Sequence, residues 1–246
     1  MRLYAIGDIH GQRAMLEAAQ GRIARDREAT GDTDAPVVHL GDLCDRGPDT
    51  RGVIDFLLDG IAAGAPWRVV RGNHDWVMSA VLAGPDDRDP DGTLARAWIG
   101  PNLGGAATLA SYGVGDPAWR PVEAIRAEAQ AAVPGSHRRF LEELEPYVET
   151  RDLILVHAGI RPGLPMNQQD EDDLLWIRDI FLDDRRDHGK LIVHGHTPVE
   201  APEHAGNRID LDTGAGYGRP LTAAVFEGRD CWILTEGGRV PLRPRR

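Results

Sequence analysis

Cysteine is scarce: the 246 residues contain only Cys44 and Cys231, too few and too far apart for a disulfide framework or a cysteine-based metal site. We read both as free thiols in a reducing compartment. Lysine is scarcer still, with Lys190 alone among 28 basic residues, and the formal net charge is −11. So acidic a chain offers no broad electrostatic footprint for a nucleic-acid backbone or an anionic membrane. Any affinity for phosphate must be local and built from arginine. No apolar run has the length of a membrane-spanning helix or the features of a secretory signal, and the amino terminus leads straight into a short strand and a polar motif. The expectation is a soluble, cytoplasmic protein with no nucleic-acid or membrane partner.

The first eighty residues repeat one pattern: an apolar run, a Gly-rich polar motif, then a helical segment. "RLYAI" leads into "GDIHG", "PVVHL" into "GDLCDRG", and "WRVV" into "RGNHD". Strands alternating with helices indicate βαβ units and a largely parallel sheet. Val53, Ile54, Leu57, Leu58 and Ile61 recur at helical spacing after the second motif, with Asp49 or Thr50 as the N-cap. Residues 84–150 read differently: "GPDDRDPDG" as a solvated loop, the rest as helices that include "RRFLEELEPYVE". Strand-like runs resume with "LILVH", "LIVH", "RIDLD", "LTAAVF" and "CWILT", the last three spaced like antiparallel strands. The expected architecture is α/β, two mixed sheets packed together with helices outside. We take residues 1–246 as a single domain carrying a helical insertion at about 84–150.

Ligands of open α/β sheets bind beyond the carboxyl ends of the strands. Those positions here hold Asp8 and His10; Asp42 and Asp45; Asn73 and His74; His157; and His196. One aspartate after a strand is ordinarily a turn residue, and one histidine an ordinary core or surface residue. A whole set at the same edge points instead to metal. Carboxylate, imidazole and amide oxygen without thiolate suit Mn, Fe or Zn rather than a structural zinc or a calcium site. Asp42, in the middle motif, is the natural bridge between two ions. Two cations about 3.5–4 Å apart can polarise a phosphoryl group and hold an activated hydroxide for in-line displacement, which is phosphoester hydrolysis.

Taken in order, "GDIHG", "GDLCDRG", "GNHD", "VHAG" and "GHTP" resemble the signature blocks of the calcineurin-like metallophosphoesterases, and more narrowly those of bacterial and phage phosphoprotein phosphatases. The resemblance implies the metallophosphoesterase-type αββα sandwich and two divalent ions, Mn2+ foremost, with Fe, Zn or Ni as alternatives. It makes Asp8, His10 and Asp42 ligands of one metal, and Asp42, Asn73, His157 and His196 ligands of the other. His74 matches the general acid, Asp45 the carboxylate that orients it, and Arg46 and Arg178 the arginines that grip phosphate oxygens. A guanidinium fork suits that task because it bonds two oxygens at fixed geometry.

From this resemblance we expect a serine/threonine protein phosphatase, extending to phosphotyrosine. The alternative is symmetrical hydrolysis of dinucleoside polyphosphates such as diadenosine tetraphosphate; the partner is then a small polyphosphate rather than a phosphorylated protein. A phosphodiesterase ranks third, because many such enzymes end their last block in "GHxH" whereas Pro198 stands here. A non-catalytic scaffold ranks last, since Asp45, Arg46 and His74 are all present. Among the remaining histidines, His39 is expected to bond within the sheet, His194 to pack, and His137, His188 and His204 to face solvent.

Overall fold

Strand and helix alternate through the opening third of the chain: β1 (Arg2–Ile6), α1 (Arg13–Thr30), β2 (Val37–His39), α2 (Thr50–Ala62), β3 (Trp67–Val69) and α3 (Asn73–Ala83). Then come α4 (Thr93–Ile99), α5 (Gly105–Ser111), α6 (Val122–Ala132), α7 (Gly135–Glu142), β4 (Tyr147–Glu149) and β5 (Leu153–Val156). Helices α8 (Glu171–Trp176) and α9 (Asp179–Leu182) precede β6 (Leu191–His194), β7 (Glu203–His204) and β8 (Arg208–Asp210), and the last strands are β9 (Ala223–Glu227), β10 (Asp230–Thr235) and β11 (Gly238–Leu242). This is a computed structural model describing residues 1–84, 89 and 91–245.

The strands form two mixed sheets, ordered β11-β10-β9-β1-β2-β3 and β4-β5-β6-β8-β7. Alternation along each strand builds the layers. On β1, Tyr4 and Ile6 pack outward with Leu16, Ala19 and Ile23 of α1 and Val53, Ile54 and Leu57 of α2. Leu3 and Ala5 point the other way and meet Leu155, Val193 and Ile209 of the second sheet. On that sheet's far face, Ile154, Val156 and Ile192 bury against Leu174, Ile177 and Phe181. The result is the expected helix–sheet–sheet–helix sandwich. Asp49 is the N-cap of α2, its carboxylate accepting from the Gly52 amide at 2.8 Å.

Several local expectations need correction. Strand β4 takes "YVE" out of the predicted helix, which stops at Glu142, because residues 147–149 pair antiparallel with β5. "RIDLD" does not join the late antiparallel strands: β8 pairs parallel with β6, in the other sheet. Within the expected solvated loop, residues 85–88 and 90 lie outside the described residues, and Asp89 is buried, paired with Arg126 at 2.6 Å. His137 and His204 are buried; His137 bonds the Tyr112 hydroxyl and the Asp55 carboxylate.

His39 does bond within the sheet: its Nδ1–H donates to the Arg68 carbonyl at 3.1 Å, and its Nε2 accepts from Gln20 at 3.0 Å. Burial pushes this imidazole down to about 4. A histidine held neutral in the fold stabilises it above the unfolded value near 6.5, and that contribution is lost as pH falls toward the folded value, because the unfolded chain takes up the proton first. His39→Gln should therefore gain roughly 2 kcal/mol relative to the unmodified protein between about pH 7.5 and about pH 5. Urea unfolding at the two pH values measures it, and a difference independent of pH would contradict neutral burial.

Candidate metal centre

Parallel pairing of β1 with β2, of β2 with β3, and of β5 with β6 carries the polar motifs to one edge of the sandwich. Asp8, His10, Asp42, Asp45, Asn73, His74, His157 and His196 are all buried there. The loops are held in costly backbone states. His10, Asp42, Asp45, Arg46 and His196 adopt φ values of 48°, 48°, 73°, 67° and 67°, and the only other non-glycine residue with positive φ among the described residues is Trp119. Such conformations cost about 1–3 kcal/mol each and persist where the surroundings over-determine them, as at functional sites. The glycines of the motifs allow the close approach: a Cβ on Gly72 would lie 2.1 Å from the Asp42 amide nitrogen, and one on Gly195 would lie 1.9 Å from Asp8 Oδ1.

Asp42 sits at the middle. Its Oδ2 is 3.4 Å from His10 Nε2, and its Oδ1 is 3.4 Å from His157 Nε2, so the two oxygens face opposite halves of the site. His10 and His157 each donate Nδ1–H to a carbonyl, of Cys44 at 2.8 Å and of Leu40 at 2.9 Å. That fixes the tautomer and turns both Nε2 lone pairs inward. In the His157 half, Asn73 Oδ1 lies 2.8 Å from His157 Nε2 and 2.9 Å from His196 Nδ1. The inward lone pair of His157 thus faces an amide oxygen, acceptor against acceptor, an arrangement a cation reconciles.

Electrostatics agree. Burial, reinforced by Asp212 and Asp42, pushes the Asp8 carboxyl well above its usual range. Burial alone would raise Asp42 too, but His157, His74, His10 and His196 hold it below the ordinary value. Burial lowers His10 to about 3 and His196 to about 2, and also depresses His157, so all three imidazoles are neutral, the form a metal requires. Asp8 Oδ1 and His196 Nε2 are buried without a hydrogen-bond partner. Among the described residues, ligand atoms of His10, Asp42 and His74, and those of Asp8, Asp42 and His157, form two groups with all atoms within 4.8 Å. The donor set therefore fits two divalent ions sharing Asp42. Asp42 belongs to both groups, with His10 in one and Asp8 and His157 in the other.

His74 differs from the other histidines. Burial alone would lower it, but Asp42 and Asp45 outweigh that and raise it. Its Nδ1–H donates to Asp45 Oδ2 at 2.7 Å. Asp45 in turn accepts from Trp98 Nε1–H at 3.0 Å and from the Thr108 hydroxyl at 2.8 Å. Those two residues, on α4 and α5, escape sequence reading, because neither sits in a motif and only folding brings them to Asp45. Arg46 aims its fork at the centre, donating to Nε2 of His10 at 2.6 Å and of His74 at 3.0 Å. Arg178 is exposed at the start of α9, and its charge helps depress His157 and His196. Tyr217 lies under the Arg46 guanidinium at 4.9 Å, and Trp176 meets the His196 ring at 6.2 Å. Both aromatics lie outside the strand-and-motif pattern of the sequence, so no periodicity gives them a role. His194, the other histidine of "HGH", is buried edge-on to Phe181 at 5.1 Å, as the packing expectation holds.

The chain is similar to a symmetrical bis(5'-nucleosyl)-tetraphosphatase of Neisseria meningitidis, 29% identical over 98% of each chain. It is also similar to an asymmetrical bis(5'-nucleosyl)-tetraphosphatase of Geobacillus thermodenitrificans, 29% identical over 92% of this chain and 91% of the relative. In fold it is similar to a cold-active protein tyrosine phosphatase, with a TM-score of 0.64 at 17% identity, covering 99% of this chain and 79% of that one. A metallophosphoesterase from Sphaerobacter thermophilus gives a TM-score of 0.51 at 19% identity, covering 99% and 89%. Residues 1–217 match the calcineurin-like phosphoesterase family, which embraces every residue of the site just described: the chain belongs to that family and is a metal-dependent phosphoester hydrolase.

Proposed function

We propose that the protein hydrolyses dinucleoside polyphosphates, with a bis(5'-nucleosyl) tetraphosphate as substrate, at the site built around Asp42. The observation that carries this is the near full-length similarity to bis(5'-nucleosyl)-tetraphosphatases of both the symmetrical and the asymmetrical kind. It favours the alternative of the sequence reading over a protein phosphatase, for which the support is a fold-level likeness to a protein tyrosine phosphatase.

In this reading Asp8, His10 and Asp42 would hold one cation, and Asp42, Asn73, His157 and His196 the other. Mn2+ is the first candidate, on donor chemistry alone. When bound, the pair supplies Lewis-acid stabilisation of the phosphoryl oxygens and an activated water. The remaining work falls to side chains. Arg46, and Arg178 on the opposite flank, bond phosphate oxygens as a fork. Asp45, itself anchored by Trp98 and Thr108, keeps the His74 Nδ1–H engaged, so that the protonated ring presents Nε2–H to the leaving oxygen once Arg46 turns from Nε2 to phosphate.

Cleavage products decide the reading. Metal-loaded protein given diadenosine tetraphosphate should yield two ADP if the central anhydride is cut, or ATP and AMP if an outer one is cut. The expected kcat/KM exceeds that for a phosphoserine peptide by about tenfold or more, roughly 1.4 kcal/mol of discrimination. Preference for the phosphopeptide would restore the protein phosphatase reading.

A further inference from the structure

The centre is flanked by two aromatic rings that the fold leaves in solvent. Tyr217 is 62% exposed and Trp176 is 39% exposed. They attach to opposite halves. Tyr217 lies against Arg46, which contacts His10, the residue facing Asp42 Oδ2. Trp176 stands edge-on to His196, which shares the Asn73 oxygen with His157, the residue facing Asp42 Oδ1. Both rings are held in place while exposed. Trp176 ends α8 between the buried Leu175 and Ile177, and Tyr217 lies in a 3-10 turn bracketed by Gly214 and Gly218 in the left-handed conformation.

Exposed aromatic surface on both sides of a buried, charged centre gains nothing from folding. It suits a ligand with two flat apolar groups joined by an anionic linker. Building on the tetraphosphatase reading above, we propose that Trp176 and Tyr217 are the platforms on which the two nucleobases stack. The polyphosphate then runs between them across Arg46, Asp42 and Arg178. A phosphorylated side chain carries no such pair of rings, so these residues select the substrate class. Stacking a base on an aromatic side chain contributes about 5- to 150-fold in affinity per base.

The test measures binding separately from turnover. Dissociation constants of diadenosine tetraphosphate and of inorganic tripolyphosphate are determined by calorimetry on metal-loaded protein carrying His74→Asn, which slows hydrolysis. Trp176→Ala and Tyr217→Ala, each added singly, should weaken the dinucleotide by about 5- to 150-fold while shifting tripolyphosphate less than about twofold. Trp176→Phe and Tyr217→Phe should restore most of the affinity. Equal weakening of both ligands, failure of phenylalanine to rescue, or dinucleotide binding no tighter than tripolyphosphate in the starting protein would each overturn the platforms. Turnover of the unmodified protein answers the other question independently: platforms that bind while phosphopeptide is the preferred substrate would refute the tetraphosphatase reading alone.

Discussion

Asp42→Asn should lower phosphoester hydrolysis by about 10³-fold or more and leave fewer than two divalent ions per chain after dialysis. The substitution keeps the shape and an oxygen for the His74 amide, which Asp42 Oδ1 now accepts at 3.0 Å. What it removes is the negative charge between His10 on one side and His157 on the other. Two cations without an anionic bridge would repel each other at short range, leaving Asp8 as the remaining carboxylate of the proposed ligand set. Metal ions contribute several kcal/mol to stabilising charge in such a transition state, and each 1.36 kcal/mol is a factor of ten in rate. Elemental analysis with kcat/KM on the same sample checks both halves, and circular dichroism confirms folding. A variant that keeps two ions with near-normal turnover would remove Asp42 from the bridging position.

His74→Asn should leave the metals bound and lower kcat by about 10² to 10⁴, or roughly 3–5 kcal/mol of transition-state stabilisation. The metal prediction follows from geometry: His74 Nδ1 is engaged by Asp45 at 2.7 Å, and its Nε2 is 3.9 Å from Asp42 Oδ2, farther than that of His10 or His157. The rate prediction follows from charge, since Asp42 and Asp45 raise this histidine despite its burial. A group that donates its proton is active below its pKa, so turnover of the unmodified protein should fall as pH rises through the elevated value. That basic limb should vanish in the variant. The loss should also depend on the leaving group: larger for an alkyl phosphoester, whose alkoxide needs a proton, than for a polyphosphate anhydride, whose phosphate leaves readily. An equal loss on both substrates would count against proton donation from Nε2.

Much of the candidate site was legible because its geometry is encoded locally. Asp8, His10, Asp42, Asp45, Asn73, His74, His157 and His196 each follow a strand within a few residues, and the adjoining glycines mark where backbones approach too closely for a Cβ. The helical spacing after Asp49 similarly announced a helix with one buried stripe. Ile61, part of that helical stripe, nonetheless ends 38% exposed because it lies in the last turn of α2, past the sheet. Elements whose state depends on a distant partner were misread. "PYVE" continues a helical pattern in isolation yet pairs with β5, and "RIDLD" is indistinguishable from its later neighbours until β6 takes it in parallel. His137 lies in a polar stretch but is buried by its bonds to Tyr112 and Asp55.

The sequence by itself determined the ligand types, their order along the chain, the family's reaction class and the arginine-based local charge in an acidic protein, since all of these reside in side-chain identity and short-range spacing. The tertiary structure alone decided which oxygen of Asp42 faces which histidine, that Trp98 and Thr108 secure Asp45, and that Tyr217 and Trp176 flank the centre from opposite halves. Those relations join residues up to well over a hundred positions apart, and a contact of that range exists only once two sheets have packed face to face.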